Sequence, residues 1–136
     1  MEKAEKISVS DLSIGDWVQD KKGSIAQIIG IENWSDGYAL NVRINEIDVG
    51  CVSANAIEPI PLTPEILEKN GFKKNGEYNE WNIGTWRTPY LLGVSLERPA
   101  ITIKWNGSSV FIDQAKYVHQ LQHALRLAKS QREIIL

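Results

Sequence analysis

From residue 7 to about residue 62, short apolar runs alternate with turn residues, which is the spacing of a small β unit. Gly15-Asp16 opens onto Trp17-Val18, Lys21-Lys22-Gly23 parts that run from residues 24–31, and residues 33–37 part the next from residues 38–44. In that third run Tyr38, Leu40, Val42 and Ile44 alternate with Ala39, Asn41 and Arg43, the period of a half-buried antiparallel strand. Residues 48–52 form a shorter run, and residues 53–56 read as one helical turn before Ile57. Pro59 and Pro61 flank Ile60 and restrict that last stretch to a sheet edge. Five short strands with a helical turn before the last predict an SH3-like β-barrel over residues 1–62, a fold that closes to limit exposed edges; an OB-like barrel is the near alternative.

The period changes after residue 62. Thr63 is a good N-cap, Pro64 suits the first helical position, and Asn70-Gly71 supplies a left-handed stop, so residues 63–71 predict a short helix with Phe72 packed back on Ile66 and Leu67. Residues 73–89 form a polar, turn-rich stretch holding Trp81 and Trp86. Strands are predicted at 90–96, 100–105 and 109–112, the last two joined by Asn106-Gly107, the strongest hairpin signal in the chain. A longer helix over 117–130 carries Val118, Leu121, Leu125 and Ala128 as its apolar stripe. The second half, residues 63–136, is therefore expected to be an α+β unit, a three-stranded antiparallel sheet covered by a short and a long helix, and the chain as a whole is assigned to the α+β class. Ile134, Ile135 and Leu136 end the sequence apolar, which predicts a docked terminus or an oligomer contact.

Composition narrows the function classes. The 136 residues are 43% hydrophobic and 24% charged, enough to build a core and too apolar for disorder. A net charge of −2 gives no overall field to draw in a phosphate backbone, so nucleic-acid binding is disfavoured. Cys51 is the single cysteine, excludes an internal disulfide, and is expected to sit as a small buried hydrophobe in a strand. The charged opening residues lead into no apolar run suited to a signal peptide or a membrane span, which makes the cytoplasm the expected compartment.

Gly15-Asp16-Trp17-Val18 resembles the entry strand of SH3-like barrels, including the KOW-type modules of ribosomal and transcription factors. Residues 57–67, then Asn70-Gly71-Phe72, then residues 117–122, together resemble a set of small proteins of gut Bacteroides-type bacteria, their phages and mobile elements. That resemblance implies a setting and no activity, so it assigns no catalytic residue here.

Candidate chemistry is sparse. His119 and His123 are spaced to share a metal on a helix, yet no third ligand stands beside them and the helical wheel sets both opposite the Leu121 and Leu125 stripe. They are read as a solvated face. Trp17, Trp34 and Tyr38, with Asp36, form either an aromatic groove for a proline-rich peptide or cation, or the core and mouth of the barrel. Trp81, Trp86, Arg87 and Tyr90 either stack on a base or sugar, or pack an irregular loop onto the sheet. No carboxylate pair, nucleophile elbow or phosphate loop is present, and neither a metal nor a cofactor is expected. The expected function is a non-enzymatic protein-binding or assembly module of phage or mobile-element origin, acting on a protein partner or on itself. The alternatives are a nucleic-acid accessory protein using Lys21, Lys22 and Arg43 with a helix face of His119, Arg126, Lys129 and Arg132, and an enzyme with an unrecognised site.

Overall fold

The chain enters its first sheet through a turn built for glycine and an acid. Gly15 takes φ +96°, and the Asp16 carboxylate turns back to accept the Ser13 backbone N–H at 2.8 Å. The backbones of Gly15 and Asp16 then bond Ile28, at 2.7 and 3.0 Å, which ties the turn to the second strand. The computed structural model describes residues 11–34, 37–44, 46–75, 80–84, 91–105, 108–128 and 133–136, and the chain divides into two units between Ile60 and Pro61.

In the first unit the strands are β1 (Trp17–Asp20), β2 (Ile25–Trp34), β3 (Gly37–Ile44), β4 (Ile47–Ser53) and β5 (Ile57–Pro59), with a single 3-10 turn at Ala54–Ala56 before the last. All pair antiparallel in the order β4-β3-β2-β1-β5. The β1–β2 turn is held by Asp20, whose Oδ1 accepts from Lys22 N and Ser24 N at 2.9 Å each. Leu12, Val18, Ala26, Ile28, Leu40, Val42 and Ile57 form the core cluster, fed by alternate positions along each strand. The five strands and the 3-10 turn stand where the hydrophobic pattern sets them, but the SH3-like barrel does not form. The sheet runs open from β4 to β5. Closure requires strands to bend sharply enough for the two edges to meet. Here the ladder is interrupted only by bulges, one in β2 between Ile28 and Gly30 and one opposite Val42 and Arg43, where Val49 is left out of register.

The second unit corrects a larger expectation. Helix α1 (Pro64–Lys69) is capped as predicted, Thr63 Oγ1 accepting from Ile66 N at 3.3 Å, and Gly71 at φ +86° lets its N–H and that of Phe72 reach back to Glu68 O and Leu67 O. Phe72 and Leu67 are buried. The sheet that follows has five strands and not three: β6 (Lys73–Asn75), β7 (Glu80–Gly84), β8 (Leu91–Ser95), β9 (Ala100–Trp105) and β10 (Ser108–Asp113), in the order β10-β9-β8-β7-β6. Residues 73–84, read as irregular from their polarity, supply β6 and β7. Among the described residues only α2 (Val118–Leu127) is a helix of seven residues or more. Gln120 Oε1 caps its start by accepting from Lys116 N and Tyr117 N at 3.0 Å each. Its stripe of Val118, Leu121, Leu125 and Ala128 is buried as expected, and α2 lies against β10. The fold is thus mostly β, two open antiparallel sheets, in place of a barrel and a helix-covered sheet. No helix among the described residues is long and apolar enough to cross a membrane.

The left-handed stop at Gly71 yields a direct test. Gly71→Ala is expected to lower stability by about 1 kcal/mol, read as a shift of the urea midpoint at unchanged slope. An unmoved midpoint would show that the turn tolerates a Cβ.

Candidate functional site

Backbone geometry sorts the aromatic residues first. Trp17 is half-buried near one end of β2, opposite Gln27, whereas Trp34 closes the other end of β2 opposite Gly37, with Tyr38 opposite Asn33. The side chains of Trp34 and Tyr38, and residues Asp36, Trp86, Arg87 and Tyr90 altogether, lie outside the described residues. Trp81 stands on β7 opposite Val94, half-buried on the apolar face of the second sheet with Ile83, Leu92 and Ile101. Nothing among the described residues brings Trp17 to the Trp34 end of the sheet.

The two histidines need a correction. His119 is 4% exposed and lies in the buried arc of α2, because that arc extends beyond the aliphatic stripe to take in His119 and Gln122 as well. Its ring stacks on Tyr117 at 5.8 Å between centroids and meets His123 edge-on at 5.7 Å. Among the described residues no group of three or more His, Cys, Asp and Glu side chains could hold a metal ion.

Convergent polar chemistry appears instead on the opposite face of the second sheet. Because Asn82 pairs with Gly93 and Gly93 with Thr102, these three form one row across β7, β8 and β9. Glu80 stands in the row on one side, opposite Ser95, and Lys104 in the row on the other, opposite Leu91. The Glu80 carboxylate and the Lys104 ammonium meet diagonally as an ion pair, their side chains 16% and 33% exposed. Gly93 leaves room for them: a Cβ there would crowd the ends of the Glu80 and Thr102 side chains. Among the described residues, Glu80 Oε1 has no neutral donor and pairs with Lys104, while Asn82 Oδ1 is buried and accepts no hydrogen bond. The spacing of Glu80, Asn82, Thr102 and Lys104 carries no motif, since only strand pairing brings them together.

The first unit presents a different feature at its β4 edge. Ile47 and Val49 are 67% and 53% exposed there, and Cys51 is exposed with them, not buried as its residue type suggested. Arg43, named only in the nucleic-acid alternative, pairs with Asp48 at 2.7 Å. Cys51 Sγ donates to Glu32 Oε2 at 3.5 Å. Partial desolvation, then that hydrogen bond and the Glu32 charge, holds the thiol above its ordinary range. Comparison with family models, curated proteins and solved structures gives no match.

Two measurements check this geometry. Gly93→Ala is expected to cost about 1–3 kcal/mol of unfolding free energy, and its cost should shrink by at least about 0.5 kcal/mol in a Glu80→Ala background, because the clash is with that carboxylate. Strict additivity would place the strain elsewhere. For Cys51, a raised thiol pKa leaves little thiolate near neutrality, so alkylation should be slow there and accelerate only at alkaline pH, with the inflection moving down in Glu32→Gln. An inflection unmoved by Glu32→Gln would remove the carboxylate from the account.

Proposed function

We propose that the chain is a protein-binding module that works by strand addition, pairing the open edge of its first sheet with an extended strand, in the simplest case that of a second copy. The supporting observation is how unequally the sheet edges are protected. Exposed edges are usually made short or given lysine or proline, because their free N–H and C=O groups template further pairing. β5 is three residues long and contains Pro59, and β6 is three residues long and contains Lys73 and Lys74. β4 and β10 are longer and carry neither lysine nor proline, and a single bulge interrupts each. β4 runs seven residues as Ile-Asp-Val-Gly-Cys-Val-Ser, and β10 runs six as Ser-Ser-Val-Phe-Ile-Asp.

Apolar side chains accompany the open edges, Ile47 and Val49 on one and Val110 and Phe111 on the other, so an added strand gains side-chain burial as well as main-chain bonds. β4 is the longer and is the edge assigned here. The resemblance read from residues 57–67, 70–72 and 117–122 alone would place such a module in an assembly of gut bacteria or their mobile elements. The nucleic-acid reading is weaker, with Arg43 tied to Asp48, His119 buried and a net charge of −2.

Sedimentation of the full chain over a wide concentration range tests the proposal. Association is expected, resistant to high salt, and Ile47→Lys with Val49→Lys should abolish it while leaving the melting temperature unchanged, since both side chains are exposed. A wild-type chain that stays monomeric throughout would refute pairing with a second copy.

A further inference from the structure

One side chain in the second unit reads the main chain of a distant segment. Asn70, just past α1, accepts the Ile135 N–H on its Oδ1 at 2.7 Å and donates from its Nδ2 to Ile135 O at 2.9 Å. The same Nδ2 donates to Ile66 O at 2.8 Å, so the amide has one satisfying orientation. An amide presenting a donor and an acceptor side by side is what a neighbouring strand residue would offer. Ile134, next along, is 4% exposed, while Glu133 and Ile135 on either side are exposed. The segment is thus held as a short extended peptide is held in a recognition slot, by one buried aliphatic anchor and main-chain bonds at the following residue. It does not fill the slot. A hollow of about 360 Å³ remains beside it, lined among others by Lys69, Asn70, Phe72, Leu125, Ile134 and Ile135.

We propose that the Asn70 slot is an exchangeable peptide-binding site, occupied within one chain by residues 133–136 and able to take the same segment from a second copy. The contact includes the buried Ile134 anchor and the two hydrogen bonds between the Asn70 amide and the Ile135 main chain, a recognition that asks of the sequence an aliphatic residue followed by one that keeps its N–H. What holds the segment in its own slot is tethering, which supplies it at an effective concentration on the order of millimolar. Exchange between chains is therefore suppressed in the intact protein and exposed once the competing segment is disabled. This site is independent of the β4 edge.

Complementation tests it in full-length chains that all carry Ile47→Lys and Val49→Lys, so that β4 pairing cannot contribute. One chain bears Asn70→Ala, with the slot broken and the segment intact; the other bears Ile134→Asp, with the segment broken and the slot intact. Sedimentation of each alone should show a monomer, and of the mixture a one-to-one complex, formed at a concentration about ten-fold or more below that at which the parent chain self-associates through the slot. A labelled peptide with the sequence of residues 133–136 should bind the Ile134→Asp chain saturably and compete the complex apart. Should circular dichroism show either chain unfolded, Asn70→Asp, which loses the donors, and Ile135→Pro, which removes the N–H from an exposed position, replace them. A mixture of folded chains that remains monomeric up to millimolar concentration overturns the proposal, as does peptide binding equal in the Asn70 variant.

Discussion

A β-strand has two sides of backbone donors and acceptors, and a sheet that does not close always leaves two of its strands with one side unmet. That constraint governs both halves of this chain. Among the described residues each sheet is five strands wide, each is antiparallel throughout, and each has one short edge carrying proline or lysine and one longer edge without either. Where the apolar residues of the open edges stand in solvent, the unmet backbone and the unburied side chains favour the same remedy, another strand.

Local patterning made the first unit's strands legible. Tyr38 to Ile44 alternates with period two, and Asp20 and Gly23 mark their turn in the sequence itself. Whether the sheet closes is not a local property. It depends on how far bulges such as the one that ejects Val49 bend the ladder, and no residue type announces that angle. In the second unit the missed strand β7 was legible in principle, because Glu80-Trp81-Asn82-Ile83 alternates as cleanly as β3 does; the polar residues around it hid it. β6 offers no alternation at all, being Lys-Lys-Asn, and exists because β7 provides the partner. His119 shows the same limit on a helix: the wheel gives the direction of a side chain, and only the packing around α2 gives the width of the buried arc.

Sites were harder to read than strands for a related reason. Sequence motifs record side chains at fixed spacings, whereas the features singled out here use either the main chain, as along β4 and at Ile135, or side chains joined only by cross-strand register. Asn70 read convincingly as a helix stop, which it is, and its amide has a second use that no local pattern encodes. Of the five tryptophans, Trp17 and Trp81 are both half-buried within strands.

The diagonal of Glu80 and Lys104 over Gly93 does more than satisfy two charges. A slip of β8 by one residue would bring Leu92 or Val94 beneath the carboxylate in place of the glycine, and a slip of two would leave Leu91 or Ser95 there. Each such misalignment puts a side chain where the bridge now lies. The pair therefore favours one alignment of three strands over shifted ones that a run of interchangeable aliphatic residues would otherwise leave nearly equal in energy.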